Sequence, residues 1–544
     1  MIKTNSGYEN TFYDEYIQST YFLEGHYLLK IKDFVKLDFL EPLLRNSYKN
    51  RHSAGRDPID PRTLFMVLLL EYLENLSDLK VVEKLKLIPL YRFFVGLSPE
   101  DKIPDDTTLS YFRTQRLGEE KTKAALNQVV KQLFAAGLID GKIQTQDATD
   151  VRADAASLMV FQLISKCRKN LFRAVENIST NKANKLREKF AFEILRKPSD
   201  KQKHFEELLE NTKKLVTAVR NSNKLLKDEG IQKELAIMQR VLEEREDEIF
   251  DEEGKKQPKP EIKKITGKMV NPSDPDASWG AKSDKNFFFG YKTMLNVDHK
   301  YGVITDAEVE KAGHPEEKSA AQLLARQKEN IGIIPDHFTA DAKYDAGNTR
   351  AEIKAVGAPE KNINLYIPLI PTKNKEGGFR LDSFFFEEGN LVCPAGYPAE
   401  YAHADDKKMG FEFKFNAAIC ARCPLRSECT DAEFGRKVLI SHTQMERKIA
   451  ADFNASEHYQ IMYGEQHWKI EPRNADLKKN QGLKRSRYRG LSRTRIHAYL
   501  SVMANNLKKY CKIITGKIKE GITNTLAKLI ALGPPGERVC PDAT

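Results

Sequence analysis

Three carboxylates in this chain sit where metal-assisted chemistry could use them. Asp147 closes a polar–apolar alternation in GKIQTQDATDVRADAA (residues 141–156), which predicts a strand ending at that residue, with Asp150 and Asp154 just beyond. Asp341 follows the short strand pattern HFTA. Glu471 heads a helical stretch and has Lys478 seven positions on, two helical turns away and therefore on the same face. Hard oxygen donors of this kind hold divalent cations, and two cations about 3.5–4 Å apart clamp the attacking and leaving oxygens of a displacement at phosphorus. Each acid also has a plainer use. An Asp after a strand commonly makes an Asx turn or caps a helix, and a carboxylate in a mixed-charge helix is commonly a solvated ion-pair partner. Pro472 adds a constraint: it lacks an N–H, so the helix either kinks or begins there. In the second case Glu471 sits at the helix mouth, where free N–H groups favour an ionised carboxylate.

Two further groups could carry chemistry. Behind Glu471 runs a dense series of cations, of which Lys478, Lys484, Arg485, Arg487, Arg489 and Arg495 are the candidate contacts to DNA phosphates. Cys393, Cys420, Cys423 and Cys429 are four of the chain's seven cysteines and fall in CPAG and CARCPLRSEC. A C-x2-C pair lets two thiolates share one tetrahedral ion, so a structural Zn2+ on four thiolates stands beside reduced, unligated thiols and the weaker option of an iron–sulfur cluster.

The elements that must position these groups are legible in outline. A chain of 544 residues is too long for one compact core, and 40% hydrophobic residues suffice to fold several. The net charge of +11 favours polyanionic partners without deciding the matter. No run of eighteen apolar residues occurs, and the first residues lack the order of a signal peptide, so a soluble, cytoplasmic protein with no membrane partner is expected. Residues 1–140 read as a helical domain. It contains a long apolar helix over residues 63–86 entered through Asp60-Pro61, and a later one capped by Asp106 or Thr107 with Arg113 and Arg116 on its exposed side. Such a domain can read DNA or serve packing. Residues 141–156 and 263–370 alternate strands and helices, which predicts an α/β unit with a mixed or parallel sheet. Residues 157–262 interrupt it with leucines at three-and-four spacing, read as a helical hairpin or short coiled coil. Removing that insertion leaves about 88 positions between Asp147 and Asp341, enough for a compact unit. Residues 371–442 form the Cys-rich insertion, 443–515 are helical again, and 516–544 form a tail.

These pieces, taken in order, resemble a DDE transposase of a bacterial insertion sequence. The resemblance is carried by IDPRTLFMVLLLEYL, KIPDDTTLSYFR, GKIQTQDATDVRADA, TADAKYD, CARCPLRSEC and KIEPRNADLKKNQGLKRSRYRGLSRTR, and it covers most of the chain. It implies a ribonuclease-H-like catalytic core behind a helical N-terminal domain. It also implies Asp147, Asp341 and Glu471 as the triad holding Mg2+ (or Mn2+), and double-stranded DNA, as terminal inverted repeats and target, for substrate. A homodimer in the synaptic complex and a nucleoid-associated location follow from the same resemblance. Related transposases carry Tyr, two residues, Arg, three residues, Glu, six residues, Lys. Glu471 and Lys478 fit the last step, but Gly464 and His467 stand in the first two places, with Tyr463 one position off. A stand-alone metal-dependent nuclease and an inactive DNA-binding remnant are the competing expectations.

Overall fold

The computed structural model describes residues 25–48, 58–195, 198–246, 268–283, 286–345, 348–370, 379, 383–387, 389–405 and 410–531. It opens with helices α1 (Tyr27–Phe34), α2 (Leu40–Leu44), α3 (Pro61–Leu73), α4 (Asp78–Leu87), α5 (Pro89–Val95), α6 (Asp106–Tyr111) and α7 (Gly118–Ala135). The expected entry at Asp60-Pro61 holds, with the Asp60 carboxylate accepting from the N–H of Arg62. The single helix expected over residues 63–86 is instead two, because Asn75 adopts a left-handed φ of 51° between α3 and α4. The cap of α6 is Asp105, one position before the expected pair.

The α/β unit is built on one curled sheet. Strands β1 (Ile143–Arg152), β3 (Asn286–Asp298) and β4 (Val303–Lys311) are antiparallel, while β5 (His337–Thr339) and β6 (Asn364–Tyr366) run parallel to β1, giving the order β4-β3-β1-β5-β6. Strand β2 (Ser278–Ser283) pairs with the start of β3. Gly290 is the last residue of β3 paired with β2 and the first paired with β1 on its other side. Its φ is +154°, and a Cβ there would lie 2.1 Å from the carbonyl oxygen of Val151. Helices α12 (Ala320–Ile331) and α13 (Thr349–Gly357) make the crossovers to β5 and β6. This mixed α/β core is consistent with the ribonuclease-H-like architecture expected.

The N-terminal helices share one hydrophobic core with the sheet, as a packing role would have them do. Leu68 and Leu70 of α3, Leu126 and Val130 of α7, Leu295 and Val297 of β3, Ile304 of β4 and Leu500 of α19 (Leu491–Ala531) are all in it. Every residue of α3 from Thr63 to Leu73 is buried, so this helix is enclosed on all sides and lies between layers. Arg113, expected on an exposed face, is 2% exposed and pairs with Glu71 at 3.2 Å and Asp78 at 2.5 Å. Residues 157–262 form, among those described, a bundle rather than a hairpin: α8 (Val160–Ile178), α9 (Thr180–Lys189), α10 (Lys201–Arg220) and α11 (Glu229–Arg245) close around their own apolar core.

The Cys-rich region carries the small strands β7 (Phe385–Glu387), β8 (Asn390–Val392), β9 (Tyr401–Asp405), β10 (Gly410–Lys414) and β11 (Lys437–Ser441), with short helices α14 (Ala417–Ala421) and α15 (Arg426–Cys429). Helices α16 (His442–Asn454), α17 (Glu457–Gln466) and α18 (Glu471–Asn480) lead back to the sheet, and α19 packs across α7, α3 and β4. The tail beyond residue 531 lies outside the described residues, as does the charged linker expected near residue 255. Among the described residues, no helix is long and apolar enough to cross a membrane.

Candidate active site

The site lies where the parallel half of the sheet stops short. β5 pairs with β1 only from Ile143 to Thr145 and ends at Thr339. Past that point the β5 side of β1 has no strand neighbour until Arg152, whose N–H donates to the Lys484 carbonyl and whose carbonyl accepts from the Ser486 N–H. Asp147 stands within this gap. The strand expected to end at Asp147 therefore continues five residues further, held by its full-length pairing to β3. Asp341 follows β5 by two residues and is level with Asp147 because the Thr145 and Thr339 hydroxyls, 2.7 Å apart, fix the parallel register.

Three carboxylates converge here, those of Asp147, Asp341 and Glu316, with oxygen atoms all within 4.8 Å of one another. Glu316 begins the short turn Glu316–Ser319 that leads into α12, and it is 4% exposed. Lys292 of β3 reaches it at 2.8 Å and Lys343, just after Asp341, at 3.3 Å. The Asp341 carboxylate accepts from the Lys343 N–H at 2.9 Å, and that of Asp147 from the Ala148 N–H at 2.8 Å. Burial, reinforced by the Asp341 and Glu316 charges, pushes the Asp147 carboxyl up to about 6. Burial works against the Lys343 ammonium, but the Glu316 and Asp341 carboxylates outweigh it and raise its pKa. The cluster thus holds more negative charge than its two lysines offset, and its all-oxygen donor set fits a hard divalent cation such as Mg2+.

Helix α18 borders the gap. Asn474 donates to the second Asp147 oxygen at 2.7 Å, and Lys478 reaches Asp150 at 2.5 Å. Glu471 is exposed one turn before Asn474 and does not belong to the converged trio. Positions 471, 474 and 478 share one helical face, however, and that face runs along β1. The Pro472 expectation resolves as a helix start: a tight turn, His467–Ile470, precedes α18, and proline falls in its first turn.

The cationic run divides in two. Lys484 and Arg485 are exposed at the C-terminal end of the gap. Arg489 is 52% exposed and donates to the Asp154 carbonyl at 2.9 Å. Arg487 instead turns into the protein, 2.6 Å from Glu71 and 4.5 Å over the Tyr72 ring. Arg495 is tied to Glu119, Glu308 and Glu310 at 2.5–3.1 Å. Sequence reasoning missed Glu316, Lys292 and Lys343, which no spacing links to the other acids. Asn474 was within reach, being three residues from Glu471 and four from Lys478. Cys393, Cys420, Cys423 and Cys429 line one small apolar cavity of about 30 Å³. Burial raises the Cys429 thiol pKa, and the described sulfurs do not draw together as closely as the carboxylates do.

A sheet that presents converging carboxylates beside its parallel strand ends could hold the divalent cations that metal-dependent phosphodiester-cleaving enzymes use. Comparison with known families narrows this class. Residues 18–115 match the model of a transposase domain (DUF772), and residues 392–511 match that of a transposase DDE domain. Both matched models are transposase domains, so over these two stretches the chain is similar to the DDE transposases of insertion sequences, metal-dependent enzymes that cleave DNA. The DDE match includes Glu471, the basic run behind it and all four clustered cysteines. Neither a search of curated proteins nor a search of solved structures finds a match.

Proposed function

We propose that this transposase binds the terminal inverted repeats of its element, cleaves the DNA there and joins the resulting 3′-OH ends to target DNA. In this reading Asp147, Asp341 and Glu471 hold Mg2+ (or Mn2+), and two protomers meet in the synaptic complex at the nucleoid. The observation that carries it is the convergence of Asp147 and Asp341 at an open strand edge bordered by the helix that bears Glu471. An α-helix rises about 1.5 Å per residue, so Glu471 lies only about 4.5 Å along the axis from the side chain that touches Asp147. A divalent cation bound there would lower the pKa of an attacking water or 3′-hydroxyl and stabilise the leaving oxygen. The chain's own residues prepare the site. Asn474 orients Asp147, Lys343 and Lys292 balance Glu316, and Lys484, Arg485 and Arg489 offer phosphate contacts along the same edge, with Lys478 nearer the acids. Arg487 and Arg495 join that surface only by giving up their carboxylate partners, so they belong to its support.

A second reading exchanges one ligand: the trio that already converges, with Glu316 in place of Glu471, holds the metal. Strand-transfer assays on paired terminal repeats, run on Glu471→Gln and Glu316→Gln proteins, separate the two. Loss of both cleavage and joining in Glu471→Gln, with DNA binding intact, supports the first reading; full activity there overturns it. Cleavage without joined product in the unaltered protein would indicate a stand-alone nuclease, and binding without cleavage a remnant. For the four cysteines we propose a structural Zn2+. It is supported by their shared cavity and the C-x2-C spacing, and elemental analysis of the purified protein tests it.

A further inference from the structure

The helical insertion contributes nothing to the acid cluster, yet its charge is strongly polarised. Helices α8 and α9 together, residues 160–189, carry eight Lys or Arg against two Glu, whereas residues 201–245, spanning α10 and α11, carry ten against eight. More than half of the chain's net +11 therefore falls in thirty residues.

The cations are also ordered. Lys166, Lys169 and Arg173 recur at i, i+3 and i+7 on α8, on the side away from Leu163, Cys167 and Leu171, which face the bundle core. Lys182, Lys185 and Lys189 repeat that spacing on α9, where Ala183 and Phe190 are buried and the three lysines are exposed. Asn181 and Asn184, both exposed, lie among them. Within the two helices the acids are few: Glu176 is engaged by Arg187 at 2.6 Å, which leaves Glu188, with exposed Glu193 four residues beyond Lys189. A structural salt-bridged helix would interleave its charges, as α10 does with its Lys214–Glu210 pair.

We propose that the α8–α9 face is a second DNA-binding surface, which grips the phosphate backbone of duplex DNA beyond the cleaved position. The three α9 lysines span about 10.5 Å at 1.5 Å per residue, close to the axial rise of three phosphate-to-phosphate steps along one strand. Chain continuity places the surface suitably. The bundle leaves β1 eight residues after Arg152, the residue at which Lys484 and Arg485 close the open edge. Eight residues reach at most about 28 Å, so the bundle starts within that distance of the two cations. The proposal rests on the transposase reading for its substrate and extends the contact beyond the catalytic edge. Contacts to phosphate position DNA and select no sequence, so the probe need not carry a terminal repeat.

The test uses the full chain and random-sequence duplexes, one long enough to pass the catalytic edge and one short. In Lys182→Ala/Lys185→Ala/Lys189→Ala protein, the slope of log affinity against log salt on the long duplex should fall by about 2.7 units, three contacts at about 0.9 each. Affinity for the short duplex and metal-dependent nicking of it should stay unchanged. The Lys→Arg triple variant should keep the original slope, and unchanged melting temperatures check that both proteins fold. A control removing the same charge from α10, Lys203→Ala/Lys213→Ala/Lys214→Ala, should leave the slope alone. Equal slopes for the unaltered and α9 variant proteins, or an equal fall in the α10 control, overturn the surface while leaving the transposase reading standing. Failure of the unaltered protein to bind either duplex overturns both.

Discussion

The acid cluster has a thermodynamic signature that Asp147→Asn should expose. Burial, reinforced by the charges of Asp341 and Glu316 within 4.8 Å, raises the Asp147 pKa to about 6. A raised carboxyl pKa means that ionisation is easier in the unfolded chain. The penalty is absent below the unfolded value near 4, grows as pH rises towards 6, and is constant above that. A shift of about two units corresponds to about 3 kcal/mol at neutral pH, and partial solvent access to the site reduces this to about 2. Asparagine removes the charge but can satisfy only one of the two donors now served, Ala148 N–H and the Asn474 amide, a loss of about 1 kcal/mol. Asp147→Asn protein should therefore be inactive yet about 1 kcal/mol more stable at pH 7.5, a rise in Tm of ~1 to 3 °C. The advantage should vanish near pH 4. Thermal melts of both proteins across pH, with and without Mg2+, provide the assay, since the cation should raise the Tm of the unaltered protein and leave that of the variant unmoved. A variant less stable than the parent at pH 7.5, or one stabilised equally by Mg2+, would refute the electrostatic account of the site.

The other predictions separate support from chemistry. Glu316→Gln strands Lys292, 12% exposed, without its ion partner and should destabilise the fold by about 3 kcal/mol, whereas exposed Glu471→Gln should leave the melting curve unchanged. Arg487→Ala leaves Glu71, 1% exposed, with one arginine instead of two and should lower stability by about 2 kcal/mol in chemical denaturation. Arg485→Ala should instead lower the salt slope of DNA binding by about one unit at unchanged stability. Gly290→Ala forces a Cβ to 2.1 Å from the Val151 carbonyl oxygen and should yield insoluble protein on expression.

The buried ionic links between modules give the N-terminal helices a role beyond that of a tethered reader. Glu71 of α3 sits between Arg113, in the turn after α6, and Arg487, five residues from Gly482 in the loop that closes the β1 edge. Tyr72 and Tyr488 stack under the two guanidinium groups from opposite modules, Arg487 over Tyr72 and Arg113 over Tyr488. The loop that presents Lys484 and Arg485 to the catalytic edge is therefore braced from the N-terminal side, and loosening α3 should be felt in DNA binding at that edge.

By itself the sequence determined what depends on local pattern. Apolar alternation located β3 and β4 to within a residue or two, and strand-end position singled out Asp341. Clustered thiols and the cationic run were likewise plain. The strand bearing Asp147 runs further than its sequence predicts, because pairing with β3, which sits more than 130 positions away, carries β1 on through Asp150 and Arg152, residues of weak strand preference. Tertiary structure alone decided which charges meet. Glu316 joins Asp147 and Asp341 because it stands at the start of the α12 crossover that returns the chain to β5 beside β1, and Arg487 and Arg495 face inward because α3, α7 and β4 offer them carboxylates that lie far off in sequence. Charge type is written residue by residue, but the partner that neutralises a charge, or leaves it for DNA, is fixed only when distant segments pack.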